Sequence, residues 1–95
     1  MFKVVETAMF ADWLQGLRDV SARARIVARI RRAQGGHLGD VKYFDGIGEM
    51  RIDHGPGYRL YFVQRGAELV ILLCGGDKRR QAADIAKAKR MAKDL

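Results

Sequence analysis

Leu69-Val70-Ile71-Leu72-Leu73-Cys74 is the run that most limits how this chain can fold. Six apolar residues in succession, with no polar alternation, suit a strand covered on both faces. Such a strand needs a paired neighbour and a layer on each side, and 95 residues leave little else to build with. The neighbours lie just upstream. Glu49 to His54 alternates, with Met50 and Ile52 on one face and Arg51 and Asp53 on the other. Tyr58 to Arg65 does the same, with Tyr58, Leu60 and Phe62 opposite Arg59, Tyr61 and Val63. Gly55-Pro56-Gly57 turns the chain between these two strands, and Arg65-Gly66-Ala67-Glu68 closes a second hairpin onto the apolar run.

Helices supply the layers. Phe2 to Val5 reads as a weak first strand, after which Thr7 can cap a short helix carrying Phe10, Trp13, Leu14 and Leu17 and ending near Gly16. Asp19 or Ser21 can cap a second helix running to about Ala33 and stopped by Gly35-Gly36. Its apolar arc is Val20, Ile26, Val27 and Ile30, with the stem of Arg23 inside it. Arg18, Arg25, Arg29 and Arg32 gather within about 60° on another arc, as a solvated face or a binding surface. His37 to Ile47 is irregular, with room for a short strand at Val41 to Tyr43. Gly75-Gly76 are expected to end the apolar strand, and a helix from about Lys78 or Arg79 to Met91 to bury Ala82, Ile85, Ala88 and Ala92. The order β-α-α-β-β-β-α defines one α+β domain over residues 1–95, a mainly antiparallel sheet with helices packed on it.

Composition narrows the function. Eighteen Lys and Arg against eleven Asp and Glu leave a net charge of +7 with no separate basic tail, so the domain attracts polyanions: nucleic acid, the ribosome or an acidic protein segment. No stretch approaches the ~20 apolar residues of a membrane span, and the N-terminus lacks the pattern of a signal peptide. The lone Cys74, inside the most apolar run, reads as a buried thiol of a cytoplasmic protein. There is no CxxC or HExxH, and His37 and His54 are far apart, so no metal or cofactor is expected.

What remains is a set of basic groups on adjacent strands and one turn. Arg51 and Arg59 belong to one hairpin, and Lys78, Arg79 and Arg80 follow the apolar strand at the start of a helix whose N–H groups also favour anions. A guanidinium fork donates two parallel hydrogen bonds to a phosphodiester and stabilises the charge that develops when a ribose 2′-OH attacks it. The alternative is that Arg51 and Arg59 form structural pairs with Asp53 or Glu49.

The element order, the segment GPGYRLYF, the apolar strand and the closing GGDKRRQAADIAKAK resemble the RelE/ParE toxin superfamily, nearest to the addiction module killer (HigB-like) branch. The likeness spans nearly the whole chain. It implies a type II toxin of the ribosome-dependent mRNA-cutting kind or, on the same fold, a gyrase poison. It also implies a helix-turn-helix antitoxin encoded nearby, usually downstream, through which alone operator DNA is reached. By the resemblance, Arg59 holds the scissile phosphate, Arg79 is the second catalytic arginine, and Arg51 contacts the RNA backbone beside Lys78 and Arg80. Arg25, Arg29 and Arg32 would lie against ribosomal RNA. Two departures thin the acid–base equipment: the family tyrosine falls at Ile85, and a strand lysine at Asp53 or His54. His54 as proton carrier, and Asp77 as a base or orienting group, are the substitutes; the plainer readings are a turn residue and a helix cap.

Overall fold

The apolar run is an inner strand of a five-stranded sheet. In the computed structural model, which describes residues 1–95, the elements are β1 (Lys3–Glu6), α1 (Ala8–Gly16), α2 (Val20–Gln34), β2 (Val41–Phe44), β3 (Ile47–Ile52), β4 (Tyr58–Arg65) and β5 (Leu69–Asp77), then a 3-10 turn (Lys78–Arg80) and α3 (Gln81–Lys93). The strand order is β1-β5-β4-β3-β2, with β1 parallel to β5 and every other pairing antiparallel. This is the expected α+β architecture with one strand added, since Val41–Phe44 pairs fully with β3 around a turn in which Gly46 takes φ 82°. No helix is long and apolar enough to cross a membrane.

The two faces of the sheet carry separate cores. Phe10, Ala22, Ile26, Met50, Leu60, Phe62, Val70 and Leu72 pack together beneath α1 and α2. Ile47, Tyr61, Val63, Leu73 and Cys74 meet Ala88 of α3 on the other side. Strand alternation divides β3 and β4 between these layers. In β5 a bulge does more: Tyr61 pairs with Cys74 but Phe62 with Leu72, so Leu73 is the extra residue. Consecutive Leu73 and Cys74 can then both reach the α3 core. Thr7 ties this bulge to α1, because its hydroxyl donates to the Leu73 carbonyl at 2.6 Å while accepting from Phe10 N at 3.1 Å as the helix cap.

Three sequence expectations change. Gly75 and Gly76 do not end β5, which continues to Asp77. Their role is clearance: a Cβ on Gly75 would collide with the Trp13 ring of α1, and one on Gly76 with the Asp84 carboxylate of α3. Ala82 is exposed, and Asp84 takes the buried place with Ala88. The phase of α2 also differs: Ala22, Ile26, Arg29 and Ala33 are buried while Val20 is 67% exposed. Asp19, rather than Ser21, caps that helix by accepting from Ala22 N at 3.1 Å.

Because Trp13 fills the space above Gly75, Gly75→Ala is expected to lose about 1–3 kcal/mol of stability through overpacking. Gly16→Ala, with nothing within 4 Å of its added methyl, should be neutral or mildly stabilising. Urea denaturation of the two variants measures the contrast; equal effects would contradict the clearance role.

Candidate functional site

Residues 49, 51, 59 and 61 alternate with core positions on β3 and β4, and so project toward the face on which α3 packs. Arg51 and Arg59 stand directly opposite each other in the ladder, and on its other side Arg59 faces Gly76. Like charges in opposed positions repel, so each arginine needs a counter-charge. Arg51 Nη2 donates to Asp40 Oδ1 at 2.8 Å across an exposed contact. Arg59 Nε lies 3.9 Å from Glu49 Oε1, with the arginine side chain 13% exposed and the glutamate fully buried. Gln81, at the start of α3, donates to the other glutamate oxygen at 3.0 Å.

These two arginines, with Lys78, line a hollow of about 510 Å³ that contains no hydrophobic residue. Asp40, Asp53 and the Gly55-Pro56-Gly57 turn complete its wall. Gly55 at φ 57° and Gly57 at φ 82° need the left-handed backbone that glycine adopts without strain, which brings the turn close to Arg59 and Lys78. A second hollow of about 270 Å³ takes Arg25, Arg29 and Arg32 in its lining and shares Asp53 with the first. The basic surface therefore runs from the hairpin onto α2.

Other expected site residues are deployed differently. Arg29 leaves the solvated arginine stripe: it is 7% exposed, and its guanidinium donates to the carbonyls of Arg51 at 2.6 Å, Leu38 at 3.0 Å and Asp40 at 3.1 Å. Those carbonyls lie near the end of β3 and in the loop before β2; that of Asp40 also accepts from Arg51 N at 2.9 Å, and the arginine adds a buried donor to each. Arg25 and Arg32 stay exposed. His54 does not line the large hollow; its Nε2 lies 3.4 Å from Asp19 Oδ2 at the start of α2. The Ala22 N–H, and after it His54, hold the Asp19 carboxyl below its ordinary range. Asp77 caps the 3-10 turn, accepting from Arg79 N at 2.9 Å and from Arg79 Nη2 at 3.1 Å, and that arginine lowers its pKa. Arg79 is 82% exposed and, with exposed Arg80, sits outside the hollow's lining, whereas Lys78 is within it. Ile85 packs against the α3-side core.

Of the buried polar layer beneath the arginines, the sequence offered Glu49 as a pair for Arg59 and Cys74 as a buried thiol, as found, but not Tyr61, Gln81 or Asp84. Tyr61 is opposite Glu49 in the ladder and fully buried, and burial together with the glutamate charge pushes its hydroxyl pKa up. Asp84 is 2% exposed; burial raises its carboxyl pKa, with Lys87 and Arg80 opposing. Burial likewise lifts the Cys74 thiol to about 11, which leaves it protonated and unreactive near neutrality. The alternation of Glu49 with Met50 was a usable signal for its orientation; the approach of Gln81 and Asp84 from a distant helix left none. No three His, Cys, Asp or Glu side chains gather as a metal site would require.

Residues 12–94 match the family described as Phage derived protein Gp49-like (DUF891). An uncharacterized protein of Haemophilus influenzae is 49% identical over 94 residues, covering 98% of this chain and 95% of its own length. The solution structure of the conserved hypothetical protein HP0894 from Helicobacter pylori shares the fold, with a TM-score of 0.55 at 20% identity over 83% of this chain and 97% of that one. The chain thus belongs to the Gp49-like family, a toxin–antitoxin-type family related to RelE-like folds.

Two outcomes follow from the geometry. Arg29→Ala removes the side-chain donor from the carbonyls of Leu38 and Arg51, while that of Asp40 keeps the Arg51 N–H at 2.9 Å; it is expected to cost about 2–5 kcal/mol, at ~1–3 kcal/mol per unmet buried group, whereas Arg25→Ala and Arg32→Ala should stay within about 0.5 kcal/mol of wild type in denaturant titrations. Because the folded-state pKa of Asp84 is raised, the cost of its charge is absent below the ordinary carboxylate range and complete above the raised value. Wild-type stability relative to Asp84→Asn should therefore rise as pH falls through that window, which melting curves at several pH values will read.

Proposed function

We propose that this protein is the toxin of a type II toxin–antitoxin pair, of the HigB-like branch, and that it acts as a ribosome-dependent mRNA endoribonuclease. The observation that carries this reading is the polar hollow in which Arg51 and Arg59 oppose each other with Lys78 alongside. Opposed guanidinium groups gain most when an anion lies between them, and a phosphodiester presents the oxygens that their forks match. In the proposed step a carboxylate of the lining takes the proton of the ribose 2′-OH, the 2′-oxygen attacks phosphorus, the bond to the 5′-oxygen breaks as that oxygen takes a proton from water, and a 2′,3′-cyclic phosphate and a 5′-hydroxyl are left. Arg59 and Arg51 stabilise the charge on the phosphorane oxygens. Asp53 and Asp40 are the bases in the lining; His54 is turned toward Asp19. Arg79 and Arg80 would hold flanking phosphates at the rim, and Arg25 and Arg32 would rest on ribosomal RNA.

Gyrase inhibition is the second reading. It is favoured by Ile85, which leaves the family's tyrosine position without a proton-carrying group. On either reading the natural antagonist would be a helix-turn-helix antitoxin encoded nearby, presenting acidic groups to the arginines in the cytoplasm and carrying the pair to operator DNA.

Expression in a bacterial host is expected to stop translation and leave mRNA cut within codons, mapped by primer extension. Arg59→Ala and Arg51→Ala should each lower cleavage by about 10²-fold or more, the scale of losing one transition-state donor. Arg79→Ala, at the exposed rim, should have the smaller effect. Intact mRNA with an induced DNA-damage response would overturn the ribonuclease reading in favour of the second.

A further inference from the structure

Beneath the hollow lies an ion pair whose form is unusual. Glu49 is fully buried, its Oε1 has no hydrogen-bond partner, and the unpartnered atom facing it at 3.9 Å is Arg59 Nε, itself buried. The remaining glutamate oxygen is fixed by Gln81 Nε2 at 3.0 Å, so the carboxylate is anchored to α3. Across the ladder Glu49 meets Tyr61, whose buried hydroxyl also lacks a partner and offers no cation to neutralise it. Arg59 is the cation that Glu49 has, and a buried carboxylate without one is strongly unfavourable. The demand runs both ways, since Arg51 stands opposite Arg59 and repels it, while the nearby carboxylate of Asp40 pairs with Arg51 and not with Arg59.

A guanidinium has an inner edge bearing Nε and an outer edge bearing the two terminal nitrogens. Glu49 addresses the inner edge. On the outer edge, Nη1 makes one weak contact of 3.5 Å to its neighbour's carbonyl, Tyr58 O. We propose that Glu49, braced by Gln81, is a positioning residue that holds the inner edge of Arg59 so that its outer edge faces the hollow as a preformed receptor for a phosphodiester oxygen pair. This rests on the reading of the hollow as a phosphate site, and it adds the buried residues that aim the arginine. Glu49 itself does not meet the substrate, because it is fully buried and outside the lining of the hollow.

The test uses the intact wild-type chain, ¹⁵N-labelled, with the Arg59 Nε–H resonance assigned from its loss in Arg59→Lys. Inorganic phosphate is the titrant. In wild type the resonance should shift on titration. In Glu49→Gln, which keeps the side-chain shape, phosphate affinity should fall by about 10-fold and the resonance should move and broaden before any phosphate is added. Gln81→Ala leaves the charge pair intact and guards against misfolding of Glu49→Gln; it should weaken binding by a smaller factor in the same direction, with unchanged backbone amide spectra. Glu49→Asp should restore part of the affinity. Unaltered phosphate affinity in both Glu49→Gln and Gln81→Ala, or a wild-type Arg59 resonance that ignores phosphate, would overturn the proposal. If wild type binds phosphate through Arg59 in a Glu49-dependent way yet cuts no mRNA, the positioning role stands and the ribonuclease reading falls.

Discussion

The fold depends on β5 being approached at close range from both sides. Its first six residues satisfy two hydrophobic layers at once, and the bulge at Leu73 turns Leu73 and Cys74 together toward α3. The strand then continues as Gly75 and Gly76, where the absence of side chains admits Trp13 from one layer and Asp84 from the other. Without that clearance neither helical layer could sit at its present depth, and α3 could not bring Gln81 to Glu49. The hydrogen bond from Thr7 to the bulge carbonyl fixes the same point from the α1 side. One stretch of strand therefore sets the spacing of the whole molecule.

The site is built on that spacing as a balance of opposed charges. Arg51 and Arg59 face each other, and each has its own carboxylate, but the two pairs are unlike. Asp40 is 62% exposed, so its contact with Arg51 is screened and easily exchanged for another anion. Glu49 is buried, so its attraction for Arg59 is little screened, and on the proposed reading it sets which way that arginine faces. A phosphate entering the hollow would thus find one arginine able to leave its partner and one already aimed. Arg29, which ties the end of β3 to the loop before β2, contributes rigidity to the same hairpin from the α2 side.

Much of the architecture was legible because it followed from periodicity. Alternation in Glu49–His54 and Tyr58–Arg65, the unbroken apolar run and the caps at Thr7 and Asp19 are local signals, and each maps onto an element. The opposition of Arg51 and Arg59 was partly legible, since both fall on one face of a single hairpin; the register that makes them direct partners was not. What the sequence concealed depends on distant segments. Arg29 lies on a helical stripe of arginines, and only the carbonyls of residues 38, 40 and 51 distinguish it from Arg25 and Arg32. A glycine pair after a strand reads as a stop until the Trp13 ring and the Asp84 carboxylate are seen to need the room. Asp40 and Gln81 gave no hint of their roles, because the groups they serve are remote in the chain.

The central claim is that an RNA phosphate occupies the hollow between Arg51 and Arg59. A crystal structure with a short RNA carrying a 2′-O-methyl group at the susceptible ribose, which blocks the attacking oxygen, tests it most directly. The account predicts a phosphate within hydrogen-bond distance of the terminal nitrogens of both arginines, with Lys78 beside it and the Arg59 Nε edge still on Glu49. An RNA bound only along Arg25 and Arg32 of α2, with the hairpin hollow empty, would contradict it.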